Sequence, residues 1–202
     1  TIILGRLGSI DISYDAGQNW IKYNVPLTSY CDQGEVESIK GDVNNLLISL
    51  KCGMITEFDG VSWHTLSGSK STSIDNENNI SYALTYSSQY STPVLNDYYI
   101  NSYENQSLKR SLEISSDLYP QNGLSDQIQS YLRKSTMDVA ENNNVFLGSD
   151  NIYMHNGSYW IQETDFNYPS DMFGEKGVRI LQMLNDQEGW AITGDGRILK
   201  RK

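Results

Sequence analysis

"SYDAGQNW", Ser13 to Trp20, is the stretch on which the fold turns. A serine, an aspartate, a glycine and a tryptophan stand at fixed offsets between two short alternating apolar runs. The Asp15 carboxylate can accept hydrogen bonds from backbone N–H groups of the turn that follows it. Gly17 can take the positive φ such a turn needs. Trp20 opens the next strand, where its ring can cover the turn, and Ser13 offers a second local hydrogen bond. All four residues are explained by closing a hairpin. "FDGVSW" (Phe58 to Trp63) and "HNGSYW" (His155 to Trp160) are shortened forms of the same turn. Both keep the Asp/Asn-Gly pair that hairpins favour, at Asp59–Gly60 and Asn156–Gly157.

Around these turns the chain repeats. Segments starting at Ile2, Leu46 and Val145 each run through an apolar strand, a polar break, a second strand, the Asp/Asn-Gly turn and a tryptophan strand. Trp20, Trp63 and Trp160 occupy one place in three units. "VESIKGDVNN", "STSIDNENN", "STMDVAENNN" and "VRILQMLNDQEG" each supply a further strand and polar turn ahead of a unit. The unit is therefore a four-stranded meander of roughly 40 residues, which cannot bury both faces alone and must stack on its neighbours.

The sequence predicts an all-β chain: a β-propeller of about five four-stranded antiparallel blades in one domain, 1–202. The units are 1–27, 36–68, 72–116, 135–165 and 178–202, with an insertion over 117–134. The first unit lacks its inner strand and the last its outer one, so an incomplete terminal blade or an open stack stays in play. "SDQIQSYLRKS" (Ser125 to Ser135) has the spacing of a short helix or irregular loop.

The opening stretch resembles the Asp box of the bacterial neuraminidase repeat, S-x-D-x-G-x-x-W, matched at Ser13, Asp15, Gly17 and Trp20. The C-terminal "GWAITGDGRILKRK" is similar to a strand pair in the repeats of Ycf48-type photosystem II assembly factors. One box is full and two are degraded. The resemblance covers both terminal thirds and residues 37–67, while 87–134 match nothing. It implies a β-propeller whose boxes are structural and lie between the third and fourth strands of a blade. Asp15 is expected to build the turn rather than catalyse.

Composition narrows the function classes. The 202 residues are 38% hydrophobic and 20% charged, a globular balance, with 14 tyrosines and four prolines. A net charge of −10 argues against binding a phosphate backbone or an anionic membrane surface. No run approaches the ~20 apolar residues of a membrane span. Cys31 and Cys52 carry no metal-site spacing, and their pairing is left open.

No catalytic set stands out. A sialidase-like enzyme needs three converging arginines, and Arg6, Arg110, Arg133, Arg179, Arg197 and Arg201 supply the number without the motif. Glycosidase chemistry needs two carboxylates at a set separation, and the sequence points to no particular pair. The G-x-S-x-G elbow is absent, and "GDG" (Gly194 to Gly196) reads as a hairpin turn. His64 and His155 sit beside box turns and read as turn-packing residues. "DNENN" (Asp75 to Asn79) and "DQE" (Asp186 to Glu188) read as turns rather than calcium loops. No metal and no cofactor is expected.

Tyr82, Tyr86, Tyr90, Tyr98, Tyr99 and Tyr103 cluster within 22 residues of the most divergent unit. They read either as a recognition face or as ordinary strand composition. The expectation is a non-catalytic binding or assembly module, engaging a protein partner or a surface glycan at the divergent segment or the propeller mouth. Its setting is virion or extracellular, after the Asn-, Ser- and Tyr-rich composition of bacteriophage tail proteins. A sialidase-like glycan hydrolase, a glycan-binding domain and a Ycf48-like assembly factor are the alternatives.

Overall fold

The computed structural model describes residues 1–29, 31, 34–67, 70–86, 98–114, 118, 135–163 and 177–201. They form five antiparallel sheets in chain order, each a plain meander. The first holds β1 (Ile2–Arg6), β2 (Ser9–Ser13) and β3 (Ile21–Asn24). The second holds β4 (Val36–Asp42), β5 (Asn45–Leu50), β6 (Ile55–Phe58) and β7 (Trp63–Ser67). The third holds β8 (Lys70–Glu77), β9 (Ile80–Tyr86), β10 (Tyr98–Glu104) and β11 (Ser107–Glu113). The fourth holds β12 (Thr136–Val139), β13 (Val145–Gly148), β14 (Ile152–His155) and β15 (Trp160–Gln162). The fifth holds β16 (Val178–Met183), β17 (Gly189–Thr193) and β18 (Ile198–Lys200). The predicted all-β class and the five blades are both present. The helix expected over 125–135 and the insertion 117–134 fall almost wholly outside the described residues.

Local chemistry sets the hairpins. Glu77 pairs with Ile80 across Asn78 and Asn79, both at positive φ, so β8 and β9 are joined by a two-residue turn of the mirror-image kind. Asn105 and Gln106 join β10 to β11 in the same way. Asparagine tolerates this left-handed backbone better than other side chains do, which accounts for its abundance in these turns.

The blades meet along their first strands, where β4, β8, β12 and β16 lie against one another in succession. β5 and β13 are apolar on both faces because their blades are covered by a neighbour on each side. In β5, Leu46, Ile48 and Leu50 join Ile10 and Ile12 in a core with the first blade. The residue between, Leu47, packs with Ile74 and Ala83 of the third. Further cores join the third blade to the fourth, around Tyr98, Ile100 and Leu147, and the fourth to the fifth, around Phe146, Leu181 and Ala191.

No apolar cluster among the described residues joins the fifth blade to the first. Their outward faces are open instead: Ile2 and Leu4 on β1 are 40% and 43% exposed, and Ile180 and Ile198 on the fifth blade 54% and 72%. The three-stranded end blades follow the deficits read from the sequence. Cys31 and Cys52 form a disulfide that ties the segment after β3 to the turn between β5 and β6.

Candidate functional site

The three turns are closed by the side-chain oxygens of Asp15, Asp59 and Asn156. Asp15 Oδ1 accepts from Asn19 N–H at 2.8 Å and from Ser13 Oγ–H at 2.9 Å. Gly17 N–H donates to Ser13 Oγ at 2.7 Å, and Trp20 Nε1–H donates to Gly17 O at 3.0 Å. Asp59 accepts from the N–H groups of Val61 and Ser62 and pairs with His64, while Gly60 takes φ 90°. Asn156 accepts from the N–H groups of Ser158 and Tyr159, with Gly157 at φ 95°. Trp63 packs on Phe58, and Trp160 meets His155 edge-on, each covering its turn.

These bonds hold both aspartates low, at about 2. The backbone N–H of Asn19 contributes most at Asp15, and that of Ser62 at Asp59. A group depressed in the folded state stabilises fully above its ordinary range and loses that support as pH falls through the folded value. Thermal melts should therefore weaken between pH ~4 and ~2. The Asp15→Asn, Asp59→Asn double variant should show a shallower acid slope. An unchanged slope would remove the turns from the acid response.

At the axis, one position recurs on the first strand of four blades: Lys40, Asp75, Asp138 and Gln182, each two residues before its hairpin closes. Asp75 Oδ2 accepts the N–H of Val139 in the next blade at 2.6 Å. Asp138 Oδ2 accepts the N–H of Met183 in the blade after that. A carboxylate on one blade thus latches the main chain of its successor. Lysine at position 40 cannot accept such a bond, and Asn76 N–H turns instead to Oδ1 of Asp75. Lys40 Nζ lies 3.8 Å from Asp75 and 3.6 Å from Asp138. Burial, followed by the charge of Asp75, pushes Asp138 up to about 7 against the pull of Met183 N–H and Lys40. Asp75 was read from the sequence as part of a turn. It is a buried strand residue, and only Asn78 and Asn79 make the turn.

A cleft of about 370 Å³ opens between the third and fourth blades. Ile80, Ile100, Leu112 and Val145 form its apolar lining, with Tyr82, Lys109, Arg110, Asn143, His155 and Gly157 around them. That volume lies in the range of ligand sites. Arg110 Nη2–H reaches across to Gly157 O at 2.7 Å, and Gly157 N–H donates to His155 Nδ1 at 3.0 Å. The third box turn thus borders the cleft, beside strands of the tyrosine-rich unit. Lys109 and Arg110 carried no signal of their own in the sequence beyond lying in the divergent segment.

The tyrosines are placed differently from an exposed recognition face. Tyr98 is fully buried and stacks on Tyr86, because it lies on the face of β10 that packs against the fourth blade. Tyr103 is buried toward the second blade and Tyr99 is half-buried. Tyr82 alone among the described ones lines the cleft, its hydroxyl 3.4 Å from Asn143 Oδ1. Tyr90 lies outside the described residues.

The described arginines have separate surroundings. Arg6 pairs with Asp11, Arg197 with Asp195 and Arg201 with buried Glu163. Arg110 borders the interblade cleft, and Arg179 borders an axial pocket of about 320 Å³ that Lys40 and Gln182 also line. Arg133 lies outside the described residues.

The meander of stacked blades is that of a β-propeller, and solved structures agree. The chain is similar to BBS1N in its complex with ARL6DN, at 11% identity and a TM-score of 0.58, over 98% of this chain and 60% of that one. It is also similar to an ancestral GH74 enzyme, at 13% identity and a TM-score of 0.61, over 97% of this chain and 29% of that one. YCF48 bound to D1 peptide aligns at 14% identity over 100% of this chain and 80% of that one, with a TM-score of only 0.38. The chain therefore spans less than two thirds of the first two. No family model matches it, and no curated protein matches it.

Proposed function

We propose that the chain is a non-catalytic binding or assembly module of the Asp-box type that engages a partner at the cleft between the third and fourth blades. The observation that carries this reading is the convergence there of the divergent blade, a box turn and two cations on an apolar lining. Its fold is shared with BBS1N, which is seen in complex with ARL6DN. The Cys31–Cys52 disulfide suits an oxidising, virion or extracellular setting.

A hydrolase is the second reading, favoured by the shared fold of the GH74 enzyme. It needs two carboxylates at working separation over a sugar. Asp75 and Asp138 are committed to main-chain N–H groups of the following blades, and the described arginines are dispersed. The discriminating experiment incubates the chain with sialosides, xyloglucan oligosaccharides and chromogenic glycosides. No product is expected. Turnover that disappears in Asp138→Asn would replace binding with hydrolysis.

A further inference from the structure

We infer that the cleft between the third and fourth blades receives a peptide segment carrying an apolar side chain next to an acidic one, an assignment that rests on the binding reading above. The lining explains the apolar half. Leu84, Ile100 and Leu112 form one cross-strand row on the face of the third blade turned to the fourth, and Val145 faces them. Ile100 and Leu112 reach the cleft, where they give an aliphatic or aromatic side chain a place out of water.

The acidic half follows from a bulge. Tyr82, Ser102 and Arg110 form the next cross-strand row, so Arg110 faces the fourth blade. Adjacent residues of a strand ordinarily point to opposite faces. Here the pairing slips between Ser102 and Tyr103, whose partners are Arg110 and Leu108, and Lys109 is the extra residue. A bulge of this kind re-aims a side chain. Both Lys109 and Arg110 border the cleft as a result.

Two adjacent cations at one opening stand out in a chain of net charge −10. Arg110 spends one N–H on Gly157 O, which fixes the guanidinium across the opening and leaves donors for a carboxylate. Among the described residues Lys109 is held only by exposed Glu104, at 2.7 Å, a pairing that an incoming carboxylate can exchange. A peptide fits better than a small anion. Among the described residues β11 pairs only with β10, and Ser107 to Ser111 are exposed. An extended segment leaving the cleft meets that strand edge.

The test selects peptides from a displayed random library against the whole chain and measures the enriched peptides by fluorescence polarisation. The expected consensus places an apolar residue beside Asp or Glu. Lys109→Glu, Arg110→Glu together should weaken those peptides at least about tenfold. Peptides with the acids changed to lysine should bind the double variant and not the native chain. Lys109→Glu alone, which disturbs no buried bond, should give a partial loss and keeps the test valid if the double variant misfolds. Acidic peptides indifferent to either variant, or binders with no acidic residue, would overturn the cleft assignment and leave a binding module with its site elsewhere. A library that yields no binder at all would overturn both.

Discussion

Asp138→Asn makes the protein more stable than the native chain at pH 8, and the advantage fades as the pH is lowered to 5. The Asp138 carboxyl titrates near 7 when folded, against an ordinary value of 3.8. Between those values the folded chain holds a proton that the unfolded chain has released. Native stability is therefore full below pH ~4 and falls as pH rises through ~7, the reverse of an ordinary paired carboxylate. The rise from 3.8 to about 7 sets a ceiling of about 4 kcal/mol on the change. An asparagine carries no charge, and its Oδ1 can still accept from Met183 N–H, so it should lose the slope and keep the latch. Asp138→Ala removes the acceptor and leaves that N–H orphaned, costing about 1–3 kcal/mol. Urea titrations of the three proteins at both pH values separate the terms. A native chain that gains stability toward pH 8, or an asparagine variant with the native slope, would show that no buried charge is at stake.

The second large effect is expected at the disulfide. Reduction, or Cys31→Ser with Cys52→Ser, should cost about 3 kcal/mol, because the bridge closes a loop of sequence separation 21 in the unfolded chain. Both sulfurs also pack in the core between the first two blades, so the serines bring a desolvation cost. Loss should concentrate in the first blade, whose apolar core among the described residues is shared with the second blade alone. Hydrogen exchange should then show β1–β3 opening well before β12–β14. Uniform loss across all five sheets would mean that the bridge supports the arc as a whole.

The fold was legible because its signal is local. Asp15, Gly17 and Trp20 act within one turn, and the alternation around them is repeated often enough to register. The axial latches were not legible in that way. Asp138 sits between Met137 and Val139 and looks like the polar half of a half-buried strand; its partner, Met183 N–H, is main chain and leaves no residue code. Aligning the first strands of the units would have put Lys40, Asp75, Asp138 and Gln182 in one column. The tyrosines stayed open between two readings because an amphipathic ring suits a core with a polar outlet as well as an exposed face. The cleft depended on a bulge at Lys109, which alternation rules do not anticipate.

The latches at Asp75 and Asp138 have a consequence for how such a chain can change. Each demands a specific side chain from the donor-receiving blade alone; the following blade contributes an amide that almost any amino acid provides. Blades can diverge, or be shuffled and duplicated, while adhesion between them survives. At the two seams that carry it, the carboxylate holds its neighbour by main chain alone and adds to the apolar cores between blades.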